Sequence, residues 1–116
     1  MNVTRFAKAP EYFPPNHDGM RCVRLQGHEA GTAEKVWLGM STIEPGGHTD
    51  LRASDVEKHY VVVQGELTIV AQMPHGPPEE QVLRAYDSVR LAAHEARQLI
   101  NRSSAPAMVL LVMPFG

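Results

Sequence analysis

Turn-forming residues interrupt this chain about every 8 to 12 residues, and no stretch longer than about ten residues carries the period of a helix. The segments between the breaks are short: Met20 to Gln26, Lys35 to Ile43, His59 to Val63, Gly65 to Ala71, Gln81 to Ala85, Ser88 to Leu91, Arg97 to Asn101 and Ala107 to Met113. They are rich in β-branched, aromatic and aliphatic side chains, which suit a half-buried pleated surface. Many short strands with regular turns predict an all-β sandwich or barrel.

The stretch that organises the rest runs from Glu44 to Gly65. Glu44-Pro45-Gly46-Gly47 is a turn signal, because proline presets φ and glycine accepts positive φ. A loop follows it, and then a strand that stops at Gly65. Residues 1 to 19 hold Pro10, Pro14, Pro15 and Gly19, which oppose both helix interior and central strand. They read as an irregular arm with one short strand near Thr4 to Ala7. Gln72 to Glu80, with three prolines and a glycine, reads as a rim loop.

A chain of 116 residues is expected to form one domain, residues 1 to 116, burying about two thirds of the surface its unfolded form exposes. No disulfide or structural metal is then needed for folding. The single cysteine, Cys22, is read as a small buried apolar group, which suits a reducing compartment. The N-terminus lacks the apolar core of a secretion signal, and nowhere do about 18 apolar residues run together, so a cytoplasmic location away from membranes is expected. With 11 basic and 13 acidic residues the net charge is −2, which gives no electrostatic footprint for nucleic acid.

Two stretches keep a regular spacing of special residues. One runs Gly46-x5-Arg52-x-Ser54-x3-Lys58-x6-Gly65, the other Tyr86-x5-Ala92-x-His94-x2-Arg97-x3-Asn101. Interval for interval they resemble the two motifs of the cupin superfamily, G-x5-H-x-H-x3-E-x6-G and G-x5-P-x-G-x2-H-x3-N. The resemblance covers roughly residues 35 to 113 and implies a double-stranded β-helix, the jelly-roll barrel of that superfamily. It also implies a homodimer, since small cupins commonly pair through outer sheet surfaces and exchanged arms.

The letters depart from the pattern where the chemistry lies. In metal-dependent cupins the two histidines and glutamate of the first motif and the histidine of the second hold a metal ion. Here those positions are Arg52, Ser54, Lys58 and Arg97. Protonated arginine and lysine offer no lone pair, and three cations repel a divalent ion, so no metal cofactor is expected. The resemblance brings the four positions together in the barrel, where Arg52 and Arg97 become carboxylate clamps and Ser54 a hydrogen-bond donor. Lys58 should have a lowered pKa and serve as clamp or base, with Tyr60 and His48 as secondary contacts.

Three readings follow. The first is a metal-independent pocket for a small organic anion, with proton transfer next to a carbonyl as its chemistry, as in an isomerase, tautomerase or lyase. The second is a binding or sensing module that holds a ligand without turnover. Beside both stands the plain reading in which Arg52, Lys58 and Arg97 pair with Asp50, Asp55, Glu57 or Glu95 and plug the barrel, or reach out to solvent. The third is a dioxygenase-like metal enzyme built on His48, His59 and His94. His17, His28 and His75 read as surface, and Ser103 and Ser104 lack the G-x-S-x-G setting of a serine hydrolase.

Overall fold

The structure is a computed structural model that describes residues 1–115. Nine strands, β1 (Glu11–Tyr12), β2 (His17–Gln26), β3 (Val36–Thr49), β4 (Lys58–Gln64), β5 (Glu66–Gln72), β6 (Pro78–Arg84), β7 (Ser88–Leu91), β8 (Ala96–Ile100) and β9 (Ala107–Pro114), form one antiparallel sheet curled into a nearly closed barrel. The path runs β6-β5-β8-β3-β9-β4-β7, with β2 on β3 and β1 on β2. Strand alternation sorts the side chains. Along β4, Lys58, Tyr60 and Val62 face inward while His59 faces out. The floor of the barrel is apolar, built from Ile43, Val62, Leu67, Ile69, Leu91, Leu99 and Val109.

The motif glycines and Asn101 hold the frame. Where β2 and β3 pair, Asp18 meets His48 and Met20 meets Ile43, so Glu44–Gly47 bulges out beside Gly19. Gly46 N–H donates to the Asn101 carbonyl at 2.8 Å, and Asn101 N–H returns to the Gly47 carbonyl at 3.0 Å. The buried Asn101 amide donates to the Ile43 and Ala105 carbonyls, at 2.9 and 2.8 Å, and its oxygen accepts from Ser103. Gly65 has φ 79°, and a β-carbon there would lie 2.7 Å from the Pro106 carbonyl oxygen, so the turn requires glycine. Tyr86 and His94, which replace the glycines of the second motif, keep the left-handed backbone at φ 73° and 69°.

Several elements differ from the sequence reading. Thr4 to Ala7 forms no strand; the arm makes a short 3-10 turn at Phe6–Lys8 and then β1. The arm packs on its own chain, with Arg24 N–H donating to the Pro10 carbonyl at 2.8 Å and Tyr12 in register with Cys22. Strand β3 runs on through the turn signal to Thr49, since Pro45 and the glycines sit in a bulge. Strand β6 begins inside the expected loop at Pro78, which an edge strand tolerates because β6 has only β5 beside it. No helix is long and apolar enough to cross a membrane.

Candidate functional site

Arg97 is the hub of the barrel mouth. Strand β8 turns its side chain inward, where Nε donates to the Tyr60 hydroxyl at 2.8 Å and Nη1 to Thr49 Oγ1 at 3.3 Å and the Asp50 carbonyl at 3.2 Å. Nη2 keeps no partner among the described residues. Every group that holds Arg97 is neutral, so its charge is oriented but not compensated. Thr49 in turn accepts from Leu99 N–H at 3.0 Å, which ties the clamp to the core.

Lys58 lies close by, on the inward face of β4, and only 4% of it is exposed. Among the described residues it has neither a salt bridge nor a side-chain hydrogen bond. Burial, then the Arg97 charge, lower its pKa from 10.5 to about 8. A fraction of Lys58 is therefore a neutral amine near pH 7 to 8. Tyr60 is almost wholly buried and its pKa is raised, by burial first, so the phenol stays protonated.

A cavity of about 420 Å³ opens beside Arg97, which forms part of its wall; Lys58 and Tyr60 lie behind Arg97 and do not line it. Two other wall residues were not legible as site residues. His17, read as surface, is half-buried, with Nδ1 2.8 Å from the Pro15 carbonyl. That contact requires Nδ1–H as donor, which leaves Nε2 as an acceptor. Burial first, and then Arg97, lower its pKa and keep the ring neutral. Arg24, read as an ordinary strand residue, stacks over Tyr12 and Trp37, with its guanidinium carbon 3.6 and 4.5 Å from the two ring centroids. Parity along β2 was the available signal, since Met20, Cys22 and Arg24 alternate onto the same sheet face as their partners Ile43, Ser41 and Gly39.

The remaining predicted residues lie elsewhere. Arg52 pairs with Arg97 through the backbone, each N–H donating to the other's carbonyl at 3.0 Å, but its side chain is exposed. The expectation that Arg52 clamps a ligand from inside is thus corrected: one bridge holds its backbone at the rim. The Ser54 hydroxyl is directed to the Val56 carbonyl at 3.3 Å. His48 contacts Thr49 O and lies 3.8 Å from Asp18, outside the cavity wall. His59 points outward to Glu57, and His94 occupies an exposed turn. The three histidines do not converge, and among the described residues no group of three or more His, Cys, Asp or Glu could hold a metal ion. Nor do Lys58 and Arg97 suit one, as cations without counter-charge. Of the carboxylates suggested as plugs, Glu57 is engaged with His59 and Arg90 and Glu95 with the Ala92 N–H, and among the described residues neither Asp50 nor Asp55 forms a salt bridge with Lys58 or Arg97.

No protein-family model matches the chain. It is 38% identical over 113 residues to β-D-galactosidase Rv1717 of Mycobacterium tuberculosis, a match that spans 97% of this chain and 93% of that protein. Among solved structures it is similar to the polyketide cyclase RemF of Streptomyces resistomycificus, with a TM-score of 0.77 at 16% identity, covering 98% of this chain and 79% of the other. An RmlC-like cupin of Shewanella frigidimarina matches with a TM-score of 0.77 at 14% identity, over 98% and 90% of the two chains. The barrel, its motif frame and these likenesses place the chain in the cupin superfamily, and it belongs there to the same family as the mycobacterial relative.

Proposed function

We propose that the barrel mouth binds a small organic carboxylate without a metal ion and moves a proton next to its carbonyl group. The observation that carries this reading is the pair Arg97 and Lys58, two inward cations with no carboxylate partner among the described residues. Uncompensated charge inside the barrel is costly in the free protein and favours an anion that supplies the missing partner. Arg97 offers the free Nη2 to a carboxylate, and its bond to Tyr60 fixes the direction of approach. Neutral Lys58 and the acceptor Nε2 of His17 are the candidate bases, and the Tyr60 phenol is the candidate acid.

The test is a panel of small mono- and dicarboxylates scored by thermal stabilisation, followed by calorimetry. Arg97→Ala is expected to weaken binding at least about tenfold, in line with a charge-assisted hydrogen bond. A panel in which no carboxylate binds, or an unchanged affinity in Arg97→Ala, overturns the proposal.

The relative's name supports a second reading, hydrolysis of a β-D-galactoside. Most glycosidases use two carboxyl groups flanking the scissile bond, and the cavity wall carries none among the described residues. A tyrosine nucleophile is a known exception, so Tyr12 or Tyr60 would have to serve. Release of nitrophenol from a nitrophenyl β-D-galactoside, lost in Tyr60→Phe, would favour this reading over the first.

A further inference from the structure

We infer that the pocket is built for a dianion, with Arg97 holding one end of the ligand and Arg24 the other. This rests on the carboxylate reading above and adds the ligand's second charge. Both arginines line the same cavity of about 420 Å³, Arg97 from β8 and Arg24 from β2. The same wall is otherwise largely apolar, with Trp37, Leu111 and Met113 in it. An alkyl or ring spacer carrying an acidic group at each end matches a wall with two cations and an apolar remainder.

Arg24 is preorganised and under-used. Its guanidinium rests on the faces of Tyr12 and Trp37, which stand edge-to-face with centroids 5.9 Å apart. Its Nε is buried without a hydrogen-bond partner, and neither terminal nitrogen has one among the described residues. The one nearby counter-charge is Glu29, whose carboxylate comes within 3.4 Å of Nε without hydrogen-bond geometry and is about half exposed. A buried donor left unpaired is costly, and stacking on two rings costs chain entropy that surface solvation would not require. A second anionic group entering the cavity would supply the missing acceptor, and Glu29 would compete with it.

The inference is tested by calorimetry with chain-matched pairs: succinate against butyrate, and glutarate against pentanoate. Dicarboxylates are expected to bind at least about tenfold more tightly than their monocarboxylate partners. Arg24→Gln should reduce that preference to about threefold or less, and Glu29→Gln, a surface change, should increase it. Thermal melting of each variant checks that it is folded, and Glu29→Gln keeps the test open should Arg24→Gln be unfolded. Monocarboxylates that bind as tightly as dicarboxylates, with no change in Glu29→Gln, would overturn this inference alone. If neither series binds, the carboxylate reading falls, and this inference with it.

Discussion

Replacing Lys58 with methionine separates the cost of the buried ammonium from its use. The side chain is 4% exposed and unpaired among the described residues, and its pKa falls from 10.5 to about 8. At about 1.4 kcal/mol per unit, that shift corresponds to about 3 kcal/mol of destabilisation at pH 7. Its nitrogen keeps some access to solvent, because it is absent from the buried unpaired atoms, and this screens part of the cost. Methionine has a similar shape and no charge, so Lys58→Met should stabilise the fold by about 2 kcal/mol, or about 8 °C in melting temperature for a domain of this size. The pH dependence has a definite sign. Between pH 8 and 10.5 the unfolded chain holds the Lys58 proton and the folded chain does not, so wild-type stability rises with pH through that window. The advantage of Lys58→Met is therefore full below pH 8 and fades towards pH 10.5. Urea denaturation of both proteins at pH 7 and at pH 10 measures it. A variant no more stable at pH 7, or a gain unchanged at pH 10, would refute the reasoning. The same variant should bind carboxylates more weakly, as expected of a residue kept for its charge at the expense of stability.

Three further outcomes are expected. His94→Gly and Tyr86→Gly should each stabilise the fold by about 0.5–1 kcal/mol in chemical denaturation, since both residues hold a left-handed backbone and glycine removes that strain less its own chain entropy. If His94 were instead a metal ligand, metal content measured by elemental analysis would fall in the glycine variant. Asn101→Ala should cost about 3 kcal/mol or more, because it strips partners from the Ile43 and Ala105 carbonyls and from Ser103. Cys22 should react slowly with iodoacetamide at pH 8 in the folded protein and readily in urea. It is buried, its pKa is raised by burial, and its sulfur accepts from the Ser41 hydroxyl at 3.3 Å.

Strands were legible where the residues alternate, as at β4, β5 and β7, and Gly65 marks the end of β4. They were illegible where proline and glycine lie within a strand. Glu44–Gly47 has the composition of a turn, yet β3 passes through it as a bulge, because Gly19 and Asn101 supply the pairing from either side. Motif position and parity put Lys58, Tyr60 and Arg97 on inward faces, and Arg97 donates to the Tyr60 hydroxyl while its charge lowers the Lys58 pKa. Arg52 and Ser54 were not, because the loop between β3 and β4 has no ladder to enforce alternation on its side chains. The arm hid the rest of the cavity: its prolines forecast irregular structure, but only folding shows that Tyr12 and His17 complete a wall beside Arg24.

The same geometry explains how the motif spacing survives a change of seven of the ten motif letters. The contacts that fix the frame are made by backbone: Gly46 to Asn101, Asn101 to Gly47, Arg52 with Arg97 in both directions, and His94 N–H to the Ser54 carbonyl at 2.7 Å. A backbone hydrogen bond accepts any side chain that tolerates the local φ, so Arg52, His94 and Tyr86 can stand in for the motif residues and still hold their intervals. Apart from Gly65, whose turn admits no side chain, and Asn101, whose amide ties the frame, the chemically constrained positions are those whose side chains enter the barrel. There the chain places Lys58 and Arg97, and the apolar floor of Leu67, Ile69, Leu91 and Leu99 keeps water from relieving their charge from below. A frame held by backbone and a mouth lined with unpaired cations can vary independently, and the charge left open at the mouth is what a ligand must complete.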